Sequence, residues 1–200
     1  MDQGADQHNK NQVCPQITLI TKRGTPALMS KSISLDEAGK LHSDASECRM
    51  VHGTAARAFA ATASDLVLII ASCGSDQAIA LGRLKDELPD RVEITVPSRL
   101  DRHPGAITRS RKFIDYRPGS PAWVLIDFDA KAMPEQVAAR IEVVGGMWNA
   151  LLTVAPELAA VARVSRASTT AGLSRSDTLE PIPGSNGMHH YGMVETSNGS

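Results

Sequence analysis

The sequence predicts an α/β (α+β) fold in two modules, and three observations carry that expectation. Residues 66–71 (LVLIIA) are a short, unbroken apolar run, the pattern of a strand buried on both faces. Residues 122–129 (AWVLIDFD) give a second apolar strand, ending in two carboxylates. Between and after them, alanine-rich and leucine-spaced stretches read as helices, and helices alternating with strands give an α/β layout.

In chain order, residues 1–15 read as a disordered, polar start. The β-branched segment 17–21 (ITLIT) suits a strand, and residues 29–35 suit a second extended stretch. Residues 53–63, rich in alanine, read as a helix. After the run at 66–71, Ser75 is placed to cap a helix carried by Ile79, Leu81, Leu84 and Leu88. Residues 91–96 form the next strand, closing an amino-terminal α/β module over 16–100. Residues 101–121 read as a basic connector, and 122–200 as the second module. There, Pro134 opens one long helix to about Val154, a strand follows over 159–164, and a last one covers 189–194.

Aromatic residues are only 4% of the chain, so the core is expected to be built from Ala, Val, Leu and Ile. The net charge of −1 rules out a globally basic protein, so any surface for nucleic acid has to be local. Such a surface is present between Arg99 and Arg117. Arg99, Arg102, Arg109, Arg111, Lys112 and Arg117 face only two acids there, Asp101 and Asp115. Cys14, Cys48 and Cys73 are scattered, with no CxxC pair, which suits reduced thiols in the cytoplasm. No apolar run is long enough to span a bilayer, and no membrane partner is expected.

The candidate chemistry begins at Asp127-Phe128-Asp129. Alternate strand residues share a face, so the two carboxylates point together and Phe128 points into packing. Paired carboxylates repel, and a divalent cation relieves the repulsion; oxygen ligands suit Mg2+ or Mn2+. Taken alone, the pair also suits a solvated, inert strand end. Downstream, Gly184-Ser185-Asn186-Gly187 can bring backbone amides close to a phosphate, and His189 or His190 follows on a strand. These histidines point to opposite faces, so at most one joins the aspartates. Arg163, Ser165, Arg166, Ser168, Thr169 and Thr170, with no acid before Asp177, suit phosphate binding.

In this order the motifs resemble the primase–polymerase domain of the archaeo-eukaryotic primase superfamily. Asp127-Phe128-Asp129 is similar to that family's metal-binding motif, and Gly187-Met188-His189 to its histidine motif. The similarity runs over about residues 122–194. It implies an RRM-like catalytic module and a DNA primase/polymerase-type nucleotidyltransferase, joining nucleoside triphosphates with two Mg2+ or Mn2+ ions. On that reading Asp127 and Asp129 hold metal, and His189 is catalytic through the triphosphate. Arg166, Ser168, Ser185, Gly187 and His189 then form the nucleotide-binding set, and the Arg99 to Arg117 cations bind a DNA template. A replicative helicase domain of a plasmid or other mobile element is the implied partner. The family's third acid lies on a later strand, whereas this chain has only Glu195 after the histidine motif, so the expectation is either a truncated piece of a longer replication protein or an incomplete site. A non-catalytic nucleic-acid-binding fragment and a metal-dependent phosphohydrolase are the alternatives.

Overall fold

The computed structural model describes residues 14–128, 133–168, 171–182 and 187–195. Two antiparallel sheets organise the chain, making it a mixed α+β fold with few helices. The first sheet contains β1 (Gln16–Arg23), β4 (His52–Phe59), β5 (Gln77–Ala80) and β7 (Arg91–Thr95), in the order β5-β1-β4-β7. The second contains β9 (Pro121–Phe128), β10 (Arg163–Ala167) and β11 (Met188–Glu195), with β11 in the centre. Two small two-stranded sheets complete the strands: the hairpin β2 (Ser32–Leu35) with β3 (Leu41–Asp44), and β6 (Arg83–Leu84) with β8 (Ile114–Asp115).

Strand alternation gives the first sheet two buried faces. On one, Ile20, Ala55, Val92 and Ile94 pack with Leu84, Met50 and Ile107. Ile107 and β8 lie inside the stretch expected as a connector, so residues 101–121 contribute to the first core. On the other face, Ile17 meets Leu66, Ala60, Trp123 and Val164. Trp123 from β9 is fully buried and donates its indole N–H to Ala60 O at 2.8 Å. Burial of so large a ring ties the two sheets into one packed unit.

Several local expectations are overturned. Residues 66–71 form no strand; they lie in helix α1 (Ala63–Ser72). Thr62 and Asp65 make a reciprocal capping box, the Thr62 hydroxyl accepting from the Asp65 amide and the Asp65 carboxylate from the Thr62 amide. Only Leu66 of this helix is buried, while Val67 and Leu68 face outward. Conversely, the alanine-rich 53–63 segment is mostly strand β4, not helix. Central placement between β1 and β7 satisfies its backbone on both sides, and this outweighs a weak helix propensity.

The helix expected through Ile79 to Leu88 is instead β5, a turn and β6. Ser75 caps no helix; its carbonyl accepts from the Met29 amide at 2.7 Å. The single helix expected from Met133 to Val154 is two, α2 (Glu135–Val143) and α3 (Met147–Val154), bent by 84°. Gly145 and Gly146 make the break, with φ of +87° and +99° in the left-handed region that glycine adopts without strain. A 3-10 turn occupies Pro156–Ala160, so the strand expected at 159–164 starts later, at Arg163. No single described helix is long and apolar enough to cross a membrane.

Candidate active site

The second sheet carries the candidate site on one face. Along β9, Trp123, Leu125 and Asp127 share a side. In the register, Trp123 lies opposite Met193, Leu125 opposite Tyr191, and Asp127 opposite His189 of β11. On the other flank of β11, Tyr191 lies opposite Val164 and His189 opposite Arg166 of β10. The face therefore runs from a buried apolar end, sealed by α1 and the first sheet, to a polar end. There Arg166, His189 and Asp127 stand in one row across three strands.

Directly opposed residues in antiparallel strands hold their Cβ atoms about 5 Å apart, so the row is set by backbone register and not by long flexible side chains. His189 Nε2 lies 3.3 Å from Asp127 Oδ1. The histidine side chain is 19% exposed and the aspartate 60%, so the carboxylate is open to solvent while the imidazole is anchored. Among the described residues His189 Nδ1 is buried without a hydrogen-bond partner, as are Arg83 Nε and Asp115 Oδ1. Buried polar atoms are nearly always paired. Arg166 is exposed and makes no hydrogen bond or ion pair among the described residues.

Tyr191 stands next to this row, its ring 6.4 Å from that of His189 and nearly perpendicular to it. Burial raises its phenol above the ordinary range; the Arg166 guanidinium opposes this, while Asp127 and Cys73 add to it. Tyr191 therefore stays protonated at neutral pH. Cys73, which ends α1, also feels Arg166, but burial dominates and raises its thiol. Tyr191, two residues on from His189, shares its face by strand alternation, whereas the proximity of Cys73 could not be read from the sequence because it depends on α1 crossing the sheet.

The second histidine has a different task. His190 points to the opposite face, as strand alternation requires, and is 6% exposed. Its Nδ1 pairs with Ser165 Oγ at 2.8 Å, and its ring packs on Trp148 of α3, which in turn carries the Arg163 guanidinium 4.1 Å from its centroid. Burial, with Arg163 and His189 nearby, holds the His190 pKa below its ordinary value.

Gly187 and Ser168 lie at the same end of the sheet as the row. The Ser168 amide donates to Gly187 O at 2.8 Å. A Cβ on Gly187 would stand 2.7 Å from Ser168 Oγ and 3.1 Å from Phe128 O. Glycine is needed here for close packing of three strands, a role separate from any phosphate. Asp129 and Ser185 lie outside the described residues.

The basic segment does not gather at this row. Arg99 and Arg102 lie in a 3-10 turn, Pro97–Arg102, and Arg99 lines an open cavity of about 770 Å³ with Lys22, Arg23 and Arg49. Arg109, Arg111 and Lys112 are exposed, and Lys112 Nζ sits 5.2 Å from the Phe113 ring centroid. Arg117 is ion-paired with Asp86, which also takes Arg83.

Mg2+ and Mn2+ sites commonly use one or two carboxylates and complete their shells with water and substrate phosphates. Asp127, exposed and with an imidazole nitrogen 3.3 Å away, suits such a site. Among the described residues no three His, Cys, Asp or Glu side chains converge, so a closed structural zinc set is not assembled there. No family model matches the chain, and neither a curated protein nor a solved structure does.

Proposed function

We propose that this chain carries a nucleotidyltransferase site of the primase–polymerase kind, which joins nucleoside triphosphates along a DNA template. The observation that supports the reading is the single row of Arg166, His189 and Asp127 on one sheet face. A cation, an imidazole and a carboxylate are the side chains that a metal-bound triphosphate needs, and three adjacent strands present them in register. The order strand β9, helices α2 and α3, then strands β10 and β11 is compatible with an RRM-like module.

On this reading Asp127 holds Mg2+ or Mn2+, with Asp129 two residues on as the second ligand. The ion would offset charge on the phosphates during transfer. Arg166 offers planar, paired N–H donors to phosphate oxygens. His189 holds Nε2 3.3 Å from Asp127 Oδ1, so the imidazole and the carboxylate would meet the bound triphosphate from the same side. Ser168 and Gly187 fix the strand ends that carry Arg166 and His189. The exposed cations Arg109, Arg111 and Lys112, with Arg99 and Arg102, supply sequence-independent contacts to template phosphates.

The test is primer extension with the purified chain, a primed DNA template, nucleoside triphosphates and Mn2+ or Mg2+. Extension would mark a complete site; because only Glu195 follows the histidine motif, Mn2+-dependent binding of the triphosphate is the outcome expected of these residues, and it should be lost in Asp127→Ala and His189→Ala. Nucleotide hydrolysis without extension would favour a metal-dependent phosphohydrolase. Salt-dependent DNA binding with neither activity would leave a non-catalytic nucleic-acid-binding module.

A further inference from the structure

A second site lies at the opposite end of β9 from the row. A cleft of about 240 Å³ opens between the first sheet, the β6–β8 strand pair and the start of β9. Its walls include Gln16, Phe59, Arg83, Asp115, Tyr116 and Arg117. Ala122, which also lines it, is five residues from Asp127, about 16 Å along a strand.

Two features of the cleft define a ligand. The first is aromatic exposure. The chain has only seven Phe, Trp and Tyr residues. Among the described residues Phe59, 57% exposed, and Tyr116, 47% exposed, are the exposed ones, and both line this cleft. Leaving such rings in water forgoes burial that the core could use, and their grouping provides flat apolar surface for a flat partner.

The second feature is balanced charge. Arg83 pairs with Asp86 at 2.6 Å and stands 3.6 Å from Asp115, while Arg117 also pairs with Asp86. Among the lining residues two guanidiniums stand against two carboxylates, and Lys85 Nζ lies 3.8 Å from Asp115 as well, so the floor presents its cations already engaged by carboxylates. It offers both donors and acceptors. Gln16 accepts from Arg57 at 2.7 Å through its amide oxygen, keeping its amide N–H groups for another partner. Burial raises the Tyr116 phenol, which therefore remains a donor. The volume lies below the roughly 300–1,000 Å³ of pockets that take a whole drug-sized ligand, so one ring system fits better than a complete nucleotide.

Charge is supplied just outside. Arg109, Arg111 and Lys112 are exposed and lead within a few residues into Asp115, Tyr116 and Arg117 of the wall. We propose that this cleft takes an unpaired nucleobase of a single-stranded nucleic acid, stacked on Phe59 and Tyr116, while the strand's phosphates run along Arg109, Arg111 and Lys112. A flat, neutral ring with donors and acceptors on its edge is what the walls accept, and single strands are commonly held by aromatic stacking beside a cationic track. The inference deepens the proposed template contact. It depends on that reading only for the identity of the strand.

The experiment is fluorescence anisotropy with the full chain, without metal or nucleotide, at fixed low salt. The probes are a labelled single strand of about 16 nucleotides, the upper end of one module's site size, its duplex and an abasic strand of equal length. The unpaired strand is expected to bind about ten-fold more tightly than the duplex or the abasic strand. The double variant Phe59→Ala/Tyr116→Ala should lose that factor for the unpaired strand alone, with an unchanged thermal unfolding midpoint, and Tyr116→Phe should keep it. Arg111→Ala/Lys112→Ala should weaken all three probes together. Equal affinity for the three probes, or a double variant that binds like the parent, would overturn the proposal. Asp127→Ala should bind the single strand as the parent does, so a failed catalytic reading and a failed cleft give different results. Ribo- and deoxyribo-strands compared in the same assay identify which strand is preferred.

Discussion

The two sheets treat their arginines in opposite ways. In the first, Arg57 is 9% exposed and fully engaged. It donates to Gln16 Oε1 and to the carbonyls of Leu84, Lys85 and Leu88 at 2.6–2.7 Å, and pairs with Asp90 at 3.2 Å. In the second, Arg166 is exposed beside His189 and makes no hydrogen bond among the described residues. One guanidinium closes a loop onto a sheet, and the other stands open at the end of one. A buried polar group that is fully paired serves structure, while convergent polar groups left open at the edge of a core are where binding and chemistry are built.

This contrast can be broken from either side. The largest effect is expected from Arg57→Ala, which takes a guanidinium donor from three main-chain carbonyls, of which Lys85 O keeps the Leu88 amide. About 3–5 kcal/mol should be lost in urea unfolding, and a change within experimental error would remove the distinction. Next comes Gly187→Ala. Its new Cβ meets Ser168 Oγ and Phe128 O, and packing strain should cost about 1–3 kcal/mol. Thr62→Ala removes one half of the α1 capping box and should cost about 1 kcal/mol.

His190 gives a pH signature on the far face of the second sheet. Its folded-state pKa lies below the ordinary 6.5, so the unfolded chain binds more protons there. Its contribution to stability is fully present above pH 6.5 and falls as the pH drops through the lowered folded value. Unfolding measured between neutral and mildly acid pH should show this slope in the parent and lose it in His190→Gln. The smallest effect is expected from Arg166→Ala, within about 0.5 kcal/mol of the parent. A large loss there would make Arg166 a structural residue like Arg57.

The same comparison shows where the sequence could be read and where it could not. The strand carrying Asp127 was legible because its apolar run is bounded by Pro121 and by charge, and the alternation of β11 correctly sent His189 and His190 to opposite faces. Residues 66–71 were misread because an unbroken apolar run carries no period that separates strand from helix. Thr62 and Asp65, three residues apart just before the run, were the signal that could have settled it. The 53–63 segment failed for a different reason. Small alanines let β4 sit centrally between two strands, and this tertiary gain outweighed local preference. Gly145-Gly146 was a visible stop that the expected long helix ran through. Within the site, the aspartate, histidine and arginine were legible by residue type. Tyr191, two residues on from His189, could have been placed by the same alternation, whereas the approach of Cys73 and the cleft at Phe59 and Tyr116 depend on chain crossings that spacing does not record.

The central claim is that the open end of the second sheet holds a divalent ion together with a triphosphate. Titration of Mn2+ into the chain, followed by electron paramagnetic resonance with and without a nucleoside triphosphate, tests it directly. Binding should tighten when the nucleotide is present, and Asp127→Ala should abolish it in both conditions while its unfolding curve stays that of the parent. Unchanged Mn2+ affinity in a folded Asp127→Ala variant would contradict the account.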